Sequence, residues 1–277
     1  MKVTFWGTRG SIATAGPETV EFGGDTSCVA ISGDDPEHVI ILDAGTGIRR
    51  LGDALNGHVR RIDLLLSHLH LDHIVGIGFF APLFWAEASV TIWAPPATTT
   101  LLDRLGRYLS PPLFPVRLRD LSCELELRDA PMEPVVRGAF TITAAPIIHP
   151  DTAVGYRVEA GGRVLAYLPD HEPALSPSFP LYRDWTSGAA IANGADMLIH
   201  DAQYTPDEYA ERVGWGHSSM LHAVAFAELT GARSLVLFHH DPWHDDRQVE
   251  QLARAAGQAS RGVLVTAARQ GETLSVG

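Results

Sequence analysis

Six consecutive residues, His68-Leu69-His70-Leu71-Asp72-His73, carry four metal-capable side chains directly after the apolar run Ile62-Asp63-Leu64-Leu65-Leu66. That run is short and nearly continuous in hydrophobicity, the pattern of a strand buried inside a sheet. Side chains alternate along an extended chain, so His68 and His70 point to the same face and can grip one ion. Asp72 and His73 fall where the chain is expected to turn into a helix over Ile74-Val75-Gly76-Ile77-Gly78-Phe79-Phe80, which swings them towards a neighbouring point. Imidazole nitrogens with a carboxylate oxygen suit zinc or a similar divalent ion. The set offers no cysteine, which argues against a closed structural zinc knot. The chemistry expected of such a cluster is metal-assisted hydrolysis.

A centre holding two ions needs ligands from several parts of the chain, and strand ends are where they should appear. His149 follows Thr141-Ile142-Thr143-Ala144-Ala145-Pro146-Ile147-Ile148, Asp170 ends Val164-Leu165-Ala166-Tyr167-Leu168-Pro169, and His239 ends Leu235-Val236-Leu237-Phe238. Each alone also reads as a turn residue; their shared placement points to function. His239 adjoins His240, and His239 is preferred because it directly ends the apolar run. His171 and His244 could back the ligands, but surface placement is the preferred expectation; His200 is expected to pack or bond backbone beside Asp201, and His38, His58 and His222 have no motif support.

The elements that must position these groups are short apolar strands alternating with helical patterns and glycine-rich turns. Strands are expected over 2–6, 28–32, 39–42, 62–66, 90–93, 140–145, 154–159, 164–167, 197–199, 235–238 and 263–265, and helices over 48–55, 98–109, 218–229 and 246–256. Ala160-Gly161-Gly162 between two of these strands is a hairpin signal. Strands that join both hairpins and crossover helices imply two packed mixed sheets with helices outside. The stretch Ser110-Pro111-Pro112-Leu113-Phe114-Pro115 reads as a stiff loop with exposed Leu113 and Phe114, either a pocket wall or a plain connector. With 277 residues, 45% hydrophobic and 19% charged, the chain fits one large hydrolase domain over 1–277. It shows no membrane-spanning run and no signal-peptide layout, so the cytoplasm is the expected compartment. Cys28 and Cys123 are expected to be reduced core residues. A formal net charge of -12 opposes binding to long nucleic acids.

These residues resemble the metallo-β-lactamase superfamily over nearly the whole chain. The opening Met1-Lys2-Val3-Thr4-Phe5-Trp6-Gly7-Thr8-Arg9-Gly10-Ser11, the turn Leu42-Asp43-Ala44-Gly45-Thr46-Gly47 and the spacing from His149 to Tyr156 resemble its ribonuclease Z and phosphoribosyl cyclic phosphodiesterase branch. The resemblance implies an αβ/βα sandwich of two mixed β-sheets with helices on the outer faces and two metal ions at one edge. Carried over by motif, His68, His70 and His149 would hold the first ion, Asp72, His73 and His239 the second, and Asp170 would bridge them. Asp201 and His217, in Gly216-His217-Ser218-Ser219, resemble the branch's pairing of an acid with a histidine near the leaving group, with aspartate here where that family usually has glutamate. A carboxylate that orients an imidazole makes it a better proton donor or phosphate contact. Alternatively, His217 with Ser218 caps the next helix.

The function expected is that of a dinuclear metal-dependent hydrolase, a phosphodiesterase acting on a small or cyclic nucleotide-type phosphodiester through a metal-bridging hydroxide. Asp72 would ligate and orient the nucleophile, while His217, with Asp201, would serve the departing oxygen. Zinc is the expected metal, with Mn2+ and Fe2+ sharing the same ligands. Hydrolysis of a lactone, carboxylic ester or sulfate ester by the same centre, or a slow-turnover ligand sensor, are the alternatives. The resemblance also makes a homodimer an expectation. The turn Gly45-Thr46-Gly47 could bring backbone amides to the site or simply enter a helix.

Overall fold

Short runs of branched and aromatic residues, punctuated by glycine and polar turns, form the strands of two seven-stranded sheets. The computed structural model describes every residue except Pro177, Pro180 and Leu181. Strands β1 (Lys2–Gly7), β2 (Cys28–Ser32), β3 (His38–Leu42), β4 (Arg61–Leu65), β5 (Ser89–Ala94) and β6 (Glu124–Asp129) build one sheet. The other contains β7 (Val135–Arg137), β8 (Phe140–Ile147), β9 (Ala153–Ala160), β10 (Arg163–Leu168), β11 (Met197–Asp201), β12 (Ser234–Phe238) and β13 (Leu264–Ala267). β14 (Thr273–Ser275) returns to the edge of the first sheet, beside β1. Each sheet has the same plan: its early strands pair antiparallel, and β3 to β6 or β10 to β13 run parallel.

Helices α1 (Ile48–Leu55), α2 (Leu71–Ile74) and α3 (Leu101–Gly106) follow strands of the first sheet. α4 (Ala189–Ala192), α5 (Pro206–Ala210), α6 (Met220–Thr230) and α7 (Asp246–Ala259) follow strands of the second. Three apolar layers hold the molecule together. Between the sheets, Ile31, Ile40, Leu42 and Leu65 cluster with Tyr156, Leu165, Tyr167, Ile199 and Phe238. Outside the first sheet, Ile41 and Leu64 cluster with Ile48, Leu51 and Ile74. Outside the second, Leu198 and Leu235 cluster with Ile191, Val224 and Phe226. Burial on both faces explains why β3 and β11 are covered along their whole length and carry the apolar runs Val39-Ile40-Ile41-Leu42 and Met197-Leu198-Ile199. The result is the expected αβ/βα sandwich.

The expected hairpin joins β9 to β10, and Gly161 (φ 59°) and Gly162 (φ 73°) supply the two positive angles of its tight turn. Elsewhere the structure differs. The helix expected over 74–80 is only α2 and a 3-10 turn at Ile77–Phe79. The backbone there presses against its neighbours, and a Cβ on Gly76 would lie 2.1 Å from the Gly45 carbonyl oxygen. The helix expected over 98–109 shortens to α3, capped by Thr100, whose side chain accepts from the Asp103 amide. β6, β7 and β14 were not anticipated. β6 alternates charged and apolar residues at a sheet edge, and the other two are three residues each. Leu113 is exposed as expected, whereas Phe114 is half-buried against Phe79 and Tyr108. Cys28 and Cys123 are both buried and free.

Candidate metal centre

The crevice beyond the carboxyl ends of parallel strands is where an open α/β sheet can present side chains without disturbing its ladder. His68 lies three residues beyond β4, Asp170 two beyond β10, His239 directly beyond β12, and Asp201 closes β11. The structure brings the sequence-derived residues together in two groups, His68 with His70 and His149, and Asp72 with His73, Asp170 and His239. Within each, the potential ligand atoms all lie within 4.8 Å of one another. The groups adjoin: His68 Nε2 is 3.7 Å from Asp170 Oδ2, while His73 Nε2 and His239 Nε2 are 3.0 and 3.4 Å from Asp170 Oδ1. Asp72 Oδ2 stands 3.2 Å from both His73 Nε2 and His239 Nε2.

Most of these imidazoles are fixed from behind. His73 Nδ1 meets Asp43 Oδ2 at 2.8 Å, His68 Nδ1 meets Ser67 Oγ at 3.1 Å, His239 Nδ1 meets Gln203 Oε1 at 3.1 Å, and His149 Nδ1 meets the Gly216 carbonyl at 3.1 Å. Such outer partners set the tautomer and leave Nε2 as the inward lone pair. His239 adopts φ 60°, a left-handed conformation that costs about 1–3 kcal/mol in a non-glycine residue and is held by its surroundings. Gly10 makes room for it, since a Cβ there would lie 2.4 Å from His239 Nδ1.

Buried His68 Nε2, His73 Nε2 and Asp170 Oδ1 have no hydrogen-bond partner. Leaving such atoms unpaired is costly, and acceptor lone pairs converging on one point repel unless a cation sits among them. The field agrees. Burial opposes charge on His73, yet Asp170, Asp72 and Asp43 hold its pKa well above the usual imidazole value. Burial likewise opposes charge on Asp170, but His239, His73 and His68 hold it well below the usual carboxylate range. His68, facing other imidazoles, is pushed down by burial first and His73 second. Five imidazoles and two carboxylates gathered at one edge therefore fit divalent cations of the zinc kind.

Beside this centre, His217 Nδ1 is 2.7 Å from Asp201 Oδ2. Asp201 is itself pinned: its carboxylate accepts from the amides of Gln203 (3.0 Å), Ser218 (3.1 Å) and His171 (3.4 Å). Burial opposes protonation of His217, but Asp201, Asp170 and Asp72 outweigh it and the pKa is pushed up to about 9. The capping alternative is not what forms, because Ser219 is the residue whose hydroxyl caps α6. Aspartate reaches His217 although its arm is short.

Two expectations are corrected. His171 is buried rather than at the surface, with Nδ1 2.9 Å from His200 Nε2 and its ring against Phe226. His244 is also buried, with Nε2 3.0 Å from Glu208 Oε1 and its carbonyl accepting from the enclosed Arg9 guanidinium. His240 turns away from the centre to the Ala268 carbonyl, and His200 Nδ1 bonds the Asp201 carbonyl. In the Gly45-Thr46-Gly47 turn, the Gly45 amide bonds the Ser27 carbonyl, and Thr46 and Thr26 exchange amide-to-hydroxyl bonds, so it ties α1 to the preceding loop. Sequence reasoning missed Asp43, Gln203 and Glu172. Asp43 accepts from Ser67 and Tyr167 as well as facing His73. Glu172 accepts from the amides of Gly214 and Gly216 and from the Tyr209 hydroxyl, so it clamps the loop that carries His217. Asp43 was within a quoted motif and Glu172 two residues beyond Asp170, the only signals either offered.

Two stacked mixed sheets with a histidine and aspartate cluster at one edge define a metal-dependent hydrolase, and the chain belongs to the beta-lactamase superfamily, whose domain model matches residues 38–240. Among curated proteins it is similar to the ribonuclease Z of Bradyrhizobium diazoefficiens, 28% identical over 78% of this chain and 84% of that one. It is also similar to the probable metallo-hydrolase YhfI of Bacillus subtilis, 26% identical over 90% and 92% of the two chains. The YhfI crystal structure superposes with a TM-score of 0.71 at 21% identity over 99% of both chains. A diphosphatase of the PhnP family superposes at 0.66 with 20% identity, over 99% of this chain and 97% of that one.

Proposed function

We propose that the protein hydrolyses a small or cyclic nucleotide-type phosphodiester; His68, His70 and His149 would hold one divalent ion, Asp72, His73 and His239 a second, and Asp170, which faces both groups, would contribute to them. Zinc is the expected metal, and Mn2+ and Fe2+ share the donor set. Bound there, such a pair supplies a hydroxide nucleophile at neutral pH and polarises a phosphoryl oxygen. The observation that carries the choice of a phosphodiester is the 2.7 Å pairing of His217 with Asp201 at the rim of the cluster. With Nδ1 committed to Asp201, His217 has Nε2 to present a proton to a departing alkoxide. Asp201 holds the ring's orientation and favours its protonated form. Similarity to a ribonuclease Z supports phosphodiester chemistry. The small size of the substrate is supported by the formal charge of -12 and by a crevice of about 570 Å³ that His217 lines, a volume typical of small-molecule sites.

The test is metal quantification together with hydrolysis of bis(4-nitrophenyl) phosphate, 4-nitrophenyl phosphate, a lactone and cyclic nucleotides by the wild type, Asp72→Ala and His217→Ala. The expected result is up to two divalent ions per chain, cleavage of diesters above monoester and lactone, and loss of cyclic-nucleotide turnover in both variants. Cleavage of the lactone alone, or unchanged cyclic-nucleotide turnover in His217→Ala, would refute the reading.

A further inference from the structure

The crevice beside His217 has an inner wall made by the supports of the metal centre. The Ser11 amide donates to Asp72 Oδ2 at 2.9 Å, and Gln203 faces both Ser11 and His239. Whatever fills the crevice therefore extends directly from the reacting group. Its outer part is aromatic. Tyr204 is buried edge-on to His217, with ring centroids 5.9 Å apart and planes at 90°. The Arg212 guanidinium lies 5.2 Å from the Tyr204 ring centroid. Two indoles, Trp215 (61% exposed) and Trp243 (82% exposed), line the same crevice. Isolated exposed apolar residues are ordinary, but two tryptophans left open to solvent on one crevice that ends at a candidate proton donor form a patch with a use.

Both indoles are carried on anchored backbone. The Trp243 amide donates to Asp241 Oδ1 at 2.9 Å, and Asp241 in turn accepts from Gln203 Nε2 at 3.2 Å. Trp215 lies between Gly214 and Gly216, whose amides are both held at 2.7 Å by the buried Glu172 carboxylate. Their backbones are thus anchored to the parts that set the centre. Exposed flat π-faces on an anchored backbone, with an arginine close by, match the way proteins take up unpaired bases: stacking on the aromatic face, with donors meeting the base edge.

Resting on the phosphodiesterase reading, we infer that this crevice is a nucleobase site, with Trp215 and Trp243 as stacking faces and Arg212 as the donor to the base. The occupant is the base of a mononucleotide-sized phosphodiester, so these residues set specificity without taking part in the reaction.

The experiment compares two diesters that share a leaving group and a five-membered ring, thymidine 5′-(4-nitrophenyl phosphate) and its base-free counterpart tetrahydrofurfuryl 4-nitrophenyl phosphate. The wild-type holoenzyme should prefer the thymidine ester in kcat/KM, chiefly through KM. Trp243→Ala and Trp215→Ala should reduce that preference roughly five- to a hundredfold, the span of base stacking on an aromatic ring. Trp243→Phe should keep most of it. Because Trp243 is largely solvent-exposed, its replacement does not endanger folding. In parallel, thymidine 5′-monophosphate should quench the tryptophan fluorescence of the holoenzyme, tetrahydrofurfuryl phosphate should not, and the quench should shrink in Trp243→Ala. Equal kcat/KM for the two esters in the wild type, or an unchanged preference in both alanine variants, overturns the base site while leaving phosphodiester hydrolysis standing. Cleavage of neither ester overturns the phosphodiesterase reading, and the base-dependent quench would still report the site.

Discussion

Replacing Asp201 with asparagine separates proton donation from the rest of the machinery. The native carboxylate accepts from four N–H groups, those of His217, Gln203, Ser218 and His171. Asparagine keeps one acceptor oxygen, and its amide NH2 must face two of those donors whichever way it is turned. Each hydrogen bond lost to a charged acceptor is worth about 1.5–3 kcal/mol, so folding stability should fall by roughly 2–4 kcal/mol after relaxation. The chemical loss depends on the leaving group. A diester that expels an alkoxide uses the proton on His217 and should lose about a hundredfold or more in kcat, within the range of general-acid catalysis. A 4-nitrophenyl diester leaves as a stable phenolate and should lose less than about tenfold by the same reasoning. The pH profile carries a second signature. His217 donates only when protonated, Asp201 raises its pKa, and the donating form is present below that raised pKa and is lost as pH rises through it. Without the Asp201 charge the largest raising influence is lost and only those of Asp170 and Asp72 remain, so the descending limb for the alkyl diester should move to lower pH. The assay is a pair of pH-rate profiles, one per substrate, on metal-loaded wild type and Asp201→Asn. Equal losses on both substrates, or a descending limb that stays in place, would refute the assignment of His217 as donor.

Asp43→Asn should lower metal affinity about ten- to a hundredfold, because it removes the carboxylate behind His73; isothermal titration of the metal-free protein with zinc reads this, and an unchanged affinity would count against His73 as a ligand. At the far end of the strands, the buried Asp63 carboxylate meets His38, Trp93 and Arg137 at 2.8–2.9 Å. Burial opposes its charge, but those three partners outweigh burial and lower its pKa. Its contribution to stability is thus present above the unfolded carboxylate value of about 3.9 and lost as pH falls through the folded pKa. Asp63→Asn should cost about 3 kcal/mol in urea unfolding at neutral pH and flatten the acid limb of the stability curve; an equally steep acid limb in the variant would contradict this.

Groups that a single strand or its end can place were legible from the sequence. The motif from His68 to His73 depends on strand alternation and one turn, and His149, Asp170 and His239 were found because each ends an apolar run. What escaped depends on contacts between distant segments. Asp43 meets Tyr167 across the two sheets, and Gln203 reaches His239 from the loop after β11, neither of which periodicity encodes. His171 was expected at the surface, yet Phe226 and His200, brought from distant segments, enclose it. β6 was overlooked because an edge strand buries little, and its Glu-Leu-Glu-Leu-Arg-Asp sequence lacks the unbroken apolar character of inner strands. Trp215 and Trp243 stand in irregular segments, where no pattern announces which crevice a side chain lines.

The repeated plan of the two sheets has a consequence for how the chain acquires its site. His68, His70, Asp72 and His73 come from the first sheet's half of the chain, whereas His149, Asp170 and His239 come from the second, and each ligand group draws on both. Neither half alone offers either group complete, so the candidate metal site exists only where the two sheets pack together. Binding energy gained there acts across the seam between the sheets, adding to the apolar layer that holds them together. A cation held there would act as a rivet: its occupancy would report that the two layers have met in register.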